Sequence, residues 1–306
     1  MKKPKIKNGQ LDRRDFLKIA GIGGVVFASG LGAIPGLGGE AKAYGKDGDF
    51  YFLQLSDTHW GFKGPKVNPN ADVTLKEAIR AVNSLKIQPD FIVFTGDLTH
   101  TTDDDKERRK RMSEFKEMIK ELKVQNIKLL PGEHDASLDE GAAYKEMFGE
   151  THYTFDHKGV HFIALDNVSD STGALGDAQL DWFKQHLSLL KKDTPIVVLT
   201  HRPLFDLMPT WDWATKDGSK AVELLMPFKN VTVFYGHIHQ ENHHKTAHIS
   251  HHSAKSLIFP LPAPGSVPNK APIPWDPTQP YKGLGFRSIE EENNKIDEIK
   301  EWPVKG

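Results

Sequence analysis

From residue 44 onward, short apolar runs alternate with amphipathic stretches, and an α/β layered fold is the simplest arrangement that buries both kinds of element. FYFLQLS (50–56), FIVFTGD (91–97), IKLLPG (127–132), VHFIALDN (160–167), PIVVLTH (195–201) and VTVFYGH (231–237) read as strands. Between them, three sets recur at helical spacing: Leu75, Ile79, Val82 and Leu85; Met112, Phe115, Ile119 and Leu122; and Leu180, Phe183, Leu187 and Leu190, the last with Asp177 as its expected cap. ERRKR (107–111) lies largely off the second stripe and reads as a solvated face. Beyond residue 245, KSLIFPL, GLGFRSIEE and NKIDEIKEW read as strands around a segment with eight Pro between 260 and 280, which must be an irregular extended loop. No repeat or linker interrupts residues 44–306, so they read as one domain.

The 306 residues contain no Cys, which excludes disulfides, thiolate metal sites, iron–sulfur clusters and a cysteine nucleophile. Any metal must sit on His and carboxylate. Residues 1–43 hold eight Lys/Arg against three Asp/Glu, leaving 32 basic and 38 acidic side chains and a net charge of −6 in the remainder. That balance gives no nucleic-acid-binding patch. The N-terminal segment LDRRDFLKIAGIGGVVFASGLGAIPGLGGEAKAYG has a basic start, a glycine-rich apolar stretch over Ile19–Ile34 and a small-residue AKA at 41–43, the order of an export signal. Arg13-Arg14 followed by Phe16-Leu17-Lys18 resembles a twin-arginine signal, with Asp12 where Ser or Thr is commoner. An apolar stretch of about 16 residues falls short of the roughly 20 that a membrane span needs. The expectation is a signal peptide over 1–43, cleavage after Ala43, passage through the export machinery and no stable membrane span afterwards. The location would be the periplasm in a Gram-negative bacterium.

The chemistry sits in the turns after the strands. SDTH ends the first, TGDLTH the second, PGEHD the third, LTHRP a later one and YGHIHQ the last, so five strand ends deliver Asp, His or Glu. In α/β sheets these ends are where sites assemble. One such turn means little, because a His after a strand is more often a satisfied structural residue. Five together point to a site. Asp57 and His59 are two apart and project to one side of an extended segment, as do His237 and His239, so each pair can chelate one ion with oxygen and nitrogen donors.

In this order the turns resemble the calcineurin-like metallophosphoesterase superfamily. Its pattern of D-x-H, G-D, G-N-H-D/E, H and G-H-x-H is met by DTH, GD, GEHD, TH and GHIH over residues 57 to 239, with Glu133 in place of the family's Asn. The resemblance implies a four-layer α/β/β/α sandwich and a two-metal site. Asp57, His59 and His239 would hold one ion, His201 and His237 the other, Asp97 would bridge them, and position 133 would complete the second shell. Between two cations a water loses its proton readily, and the hydroxide can attack the phosphorus of an ester in line. His134 could then protonate the leaving group or bind a phosphate oxygen, with Asp135 fixing its orientation. The expected activity is hydrolysis of a small phosphomonoester or phosphodiester; the rival is a non-catalytic metal-binding scaffold or binding module on the same fold.

Glu133 alters the charge of such a centre. Two divalent ions, two aspartates and a hydroxide would leave a surplus positive charge that Glu133 cancels, whereas a ferric ion would restore it. The expected cofactors are therefore iron with manganese, zinc or a second iron, unless Glu133 turns away. Other residues carry two readings each. Trp60, Trp211 and Trp213 could wall a substrate pocket or close the core edge. Arg202 could meet a phosphate or form a structural ion pair. Asp166 and Asn167 match no ligand position and read as structural. His243, His244, His248, His251 and His252 lack a regularly spaced carboxylate and read as substrate contacts or a solvated strand in preference to a second metal site.

Overall fold

The computed structural model describes residues 49–292 and 295–304; the expected signal segment lies outside them. Two sheets face each other. The first holds β1 (Phe50–Leu55), β2 (Phe91–Thr95), β3 (Ile127–Leu130), β10 (Gly285–Glu292) and β11 (Lys295–Pro303) in the order β11-β10-β1-β2-β3. The second holds β4 (Tyr153–His157), β5 (Val160–Ala164), β6 (Ile196–Leu199), β7 (Val231–Tyr235), β8 (Asn242–Thr246) and β9 (Ile249–Ser253) in the order β4-β5-β6-β7-β9-β8. Within them β1-β2-β3 and β5-β6-β7-β9 run parallel, so strand C-terminal ends from both sheets can meet at one edge of the sandwich.

Strand alternation builds the layers. On β1 and β2, Phe50, Phe52, Phe91 and Val93 point between the sheets, where they meet Phe162, Val197, Leu199 and Phe234. Phe52 stacks on Phe91 with ring centroids 4.9 Å apart and meets Phe162 edge-on at 5.7 Å. The alternate residues Leu53, Leu55, Ile92 and Phe94 point outward, against α1 (Ala71–Asn83) and α2 (Asp105–Ile119) through Leu75, Ile79, Val82, Phe115 and Ile119. On the other side Ile163, Ile196, Val198 and Val233 pack on α5 (Asp177–Ser188) and α6 (Gly218–Leu225) through Leu180, Phe183, Leu187, Ala221 and Leu225. Central strands buried on both faces read as continuous apolar runs for this reason. The fold is a four-layer α/β/β/α sandwich.

Several boundaries depart from the sequence reading. The six apolar runs stop being strands one to three residues early, and in five of them the residues left over lead into the turns that carry the candidate ligands. KSLIFPL forms no strand: residues 254–284 are irregular, and the polar atoms there bond to other loops, as in Leu257 N–H to the carbonyl of Ser56 at 3.1 Å. Asp177 is the first residue of α5 and not its cap; Gly176 precedes the helix, and Asp217 receives the N–H groups of Leu175 and Gly176 at 2.8 and 3.0 Å. The short helices α3 (Glu133–Ala136) and α4 (Ala142–Phe148) and the edge strand β4 lacked a pattern long enough to read. Among the described residues, no helix is long and apolar enough to cross a membrane.

Candidate metal centre

Asp57 and His59 follow β1, Asp97 follows β2, Glu133 opens α3 after β3, His201 follows β6, and His237 and His239 follow β7. Two sheets thus contribute to one site. The local backbone is unusual: Asp57, His59, Asp97, His237 and His239 all have positive φ, between 41° and 65°. Non-glycine residues adopt this region at a cost, and such strain persists only where surrounding contacts over-determine it. Two motif glycines explain how the turns come so close. At Gly96 (φ +96°) a Cβ would lie 2.3 Å from His201 Nδ1, and at Gly132 it would lie 2.1 Å from both the Asp97 nitrogen and its Oδ1.

The donor atoms form two groups. Asp57, His59, Asp97 and His239 form one, and Glu133, His201 and His237 the other. Asp97 Oδ2 stands between them, 3.3 Å from His59 Nε2 and 3.5 Å from His201 Nε2. Glu133 does not turn away: its Oε2 lies 2.8 Å from His201 Nε2 and its Oε1 2.8 Å from His237 Nδ1. Asp57 Oδ1 lies 3.4 Å from His239 Nε2. All seven residues that the sequence nominated as ligands are brought together.

The imidazole tautomers favour ligation. His201 Nδ1–H donates to the carbonyl of Thr95 at 2.7 Å, His239 Nδ1–H to that of Phe259 at 2.8 Å, and His237 Nε2–H to that of Asp212 at 3.1 Å. A neutral ring that gives its proton to a carbonyl presents a lone pair on its other nitrogen, the arrangement that orients a metal ligand. Those freed atoms have nowhere else to go. His201 Nε2, His237 Nδ1 and Glu133 Oε2 are buried without hydrogen-bond partners, and His59 Nε2 faces His239 Nε2 at 3.2 Å. Converging lone pairs of nitrogen and carboxylate oxygen fit a pair of cations.

The buried carboxylates and imidazoles also shift one another's charge states. Burial works to raise the Glu133 carboxyl, but His237 and His201 outweigh it and hold its pKa well below the usual range. Burial opposes charge on His201, yet Asp97 and Glu133 raise its pKa well above normal. His59 is pushed well below normal by burial and by the neighbouring His134 and His239.

His134 lies beside the candidate ligands, but Asp135 does not orient it. His134 N–H donates to Asp97 Oδ1 at 2.9 Å, and its ring meets His59 edge-on with centroids 4.5 Å apart. Its Nδ1 accepts the backbone N–H of Thr101 at 3.2 Å, so the neutral ring carries its proton on Nε2. Asp135 does not supply that support. Its carboxylate accepts from the N–H groups of Leu98 (2.9 Å), Thr99 (2.8 Å) and Gly132 (2.9 Å) and from the Thr99 hydroxyl (2.9 Å), tying the turn after β2 to the turn after β3. Burial and the Asp97 charge push its pKa up to about 6 against those bonds.

The remaining nominated residues divide. Trp211 and Trp213 pack edge-to-face at 4.9 Å in a core cluster with Tyr235 and Ile238, so they take the core reading; Asp212 between them reaches the site through its carbonyl. Trp60 donates its indole N–H to Glu114 at 2.8 Å. Arg202 pairs with the Asp212 carboxylate and carbonyl at 2.5 Å each, the structural alternative. Asn167 spans Arg202 O and Thr215 Oγ1. His243 faces His252 across β8 and β9, His244 stacks on Phe205 at 3.9 Å, and neither belongs to the centre. The sequence reading passed over Phe62, His100 and Phe259, which wall the ligands: Phe259 lies 4.7 Å from the His239 ring and 5.1 Å from that of Phe62. His100 stood in the quoted TGDLTH turn, and the one signal that could have found it was a His at a strand end already carrying a ligand.

The family model for calcineurin-like phosphoesterases matches residues 50–241. The chain belongs to that family. The matched stretch contains all seven candidate ligands and His134. Among curated proteins the chain is 28% identical over 180 residues to a Mus musculus "serine/threonine-protein phosphatase CPPED1", covering 52% of this chain and 57% of that protein. It is 29% identical over 160 residues to a "probable glycerophosphodiester phosphodiesterase GpdQ" of Arcobacter nitrofigilis, covering 49% and 56%. The chain thus spans a little over half the length of these relatives. A solved dimetal phosphatase from Danio rerio superposes with a TM-score of 0.57 at 11% identity, covering 83% of this chain and 98% of that one, a likeness of fold.

Asp135→Asn places an amide N–H₂ where two backbone N–H groups now find a carboxylate oxygen. A cost of about 1–3 kcal/mol is expected, read as a lower thermal midpoint, together with reduced metal content as the Asp97 and Glu133 turns separate. Unchanged melting and metal content would remove the stapling role.

Proposed function

We propose that this calcineurin-like phosphoesterase is an exported hydrolase of phosphomonoesters or phosphodiesters that works with two metal ions, one of them iron and the other manganese, zinc or a second iron. The observation that carries the reading is the convergence of seven ligand-type side chains from five strand ends, with Asp97 between the two groups. Asp57, His59, Asp97 and His239 would hold one ion; Glu133, His201 and His237, with Asp97, the other. When bound, two cations supply Lewis acidity and a nucleophile at neutral pH.

The chain supplies the rest. Carbonyls of Thr95, Phe259 and Asp212 hold three imidazoles in their ligating tautomers. His134 bears its proton on Nε2 beside Asp97 and Glu133, where it can be passed to the oxygen of a departing alcohol. A scaffold that merely clasps metal has no need of such a group. The names of the relatives, one a protein phosphatase and one a phosphodiesterase, support phosphoester chemistry without choosing between mono- and diester. Three carboxylates in the centre, where the family pattern has two and an amide, support a trivalent ion.

Metal analysis of the mature protein with a panel of phosphoesters tests the reading, and an absence of both metal and turnover would overturn it. His134→Ala should keep both ions while slowing hydrolysis of alkyl esters by about 10²–10⁴-fold, with a much smaller loss for esters whose leaving group needs no proton. Equal loss of metal in His134→Ala and Asp97→Ala would erase the division between acid and ligand. Glu133→Asn should keep two ions but exchange iron for divalent manganese or zinc; unchanged metal content and kinetics would remove the ferric assignment. Export through the twin-arginine signal predicts that replacing Arg13 and Arg14 by Lys leaves the protein in the cytoplasm, as cell fractionation would show, and undiminished export would refute it.

A further inference from the structure

Three of the four histidine ligands hand their spare ring N–H to a backbone carbonyl, and His59 is the exception. Its Nε2 is the atom beside Asp97 Oδ2 and His239 Nε2, and its Nδ1 lies 3.2 Å from Nδ1 of His100, a side chain. Resting on the two-metal reading above, we infer that His100 is a positioning residue that holds His59 in its ligating tautomer by accepting the His59 Nδ1–H bond on its own Nδ1.

The placement of the His100 ring is built. It is stacked on His134 with centroids 4.7 Å apart at 24°, and Phe62 closes on it edge-to-face at 5.0 Å. The backbone is fixed as well: His100 N–H donates to the carbonyl of Trp60 at 2.9 Å, and its own carbonyl accepts from Arg111 Nη1 at 2.9 Å. A ring clamped from two sides with its Nδ1 aimed at a ligand has the same task as the carbonyls of Thr95, Phe259 and Asp212. Two imidazole nitrogens 3.2 Å apart can share one proton, and His59 must be the donor if its Nε2 lone pair is to face the ion. His100 then carries its proton on Nε2. The same ring lies against the face of His134, so one residue sets the position of a ligand and of the proposed proton donor.

The experiment compares His100→Leu with His100→Asn. The two side chains have nearly the same shape, but only Asn places an acceptor oxygen where Nδ1 now stands. Metal affinity is read by chelator competition on the folded variants, with thermal melting to confirm that all three proteins fold alike. His100→Leu should weaken the ion held by Asp57, His59, Asp97 and His239 by about 10–100-fold, and His100→Asn should restore most of it; the other ion should be retained equally in all three. Affinities within twofold of the parent in His100→Leu, or an Asn variant as weak as the Leu variant, would overturn the assignment while leaving the two-metal centre standing. A parent protein that binds no ion would defeat both.

Discussion

Three buried or half-buried carboxylates, Asp57, Asp97 and Glu133, stand within one small volume at the edge of two sheets, and this crowding governs the rest of the structure. Isolated charges cannot be buried cheaply, and like charges this close cannot all persist without compensation. Four imidazoles surround them, and three hold one ring N–H against a carbonyl, leaving one ring nitrogen each to answer the carboxylates. Without a cation, a proton on His201 is what answers Asp97 and Glu133, and those two carboxylates raise its pKa well above normal. A pair of cations satisfies carboxylates and imidazoles at once, which is why the same donors look frustrated as a hydrogen-bond network and ordered as a coordination set.

The strain in the turns follows from that demand. Five of the ligands have left-handed backbone conformations, and each such residue costs of order 1–3 kcal/mol. The compensation is visible in the contacts that cross between turns. Asp135 gathers three backbone N–H groups from two different turns, and the His237 N–H lies 3.2 Å from both oxygens of Asp57. Gly132 has no side chain because the Asp97 backbone occupies that space. These constraints explain why the motif residues beside the ligands are glycines and an aspartate that never touches the reacting atoms. Asp135 is a structural member of GEHD, and His134 is oriented by the Thr101 backbone instead.

The legible part of the molecule was the part governed by period and by position at strand ends. Continuous apolar runs and the Leu75 and Phe183 stripes gave the layers, because each element buries one regular face. The seven donor residues were legible because they come in order after strands, and the family pattern then singled them out from their neighbours. What was not legible depends on three-dimensional contact. KSLIFPL has the composition of a strand but sends Phe259 to the ligands, with its carbonyl on His239 and its ring on the same imidazole. Trp211 and Trp213 sit in the core while the residue between them reaches the site through a backbone oxygen, and no side-chain pattern reports a carbonyl. Asp135 and His100 each neighbour a candidate group in sequence or space, yet only hydrogen-bond partners reveal which group each one serves.

The sandwich architecture gives the metal centre a mechanical role as well. One donor group takes Asp57, His59 and Asp97 from the first sheet and His239 from the second; the other takes Glu133 from the first sheet and His201 and His237 from the second. Either ion would therefore cross-link the two sheets at their shared edge. The core of Phe52, Phe91, Phe162 and Phe234 fixes the separation of the sheets deeper in the sandwich, through ring packing that tolerates little displacement. Core and centre thus impose the same spacing from opposite ends of the strands. The ligands can be strained and closely set because the separation of the sheets is already determined by packing, and the site needs only short turns, not long loops, to reach across it.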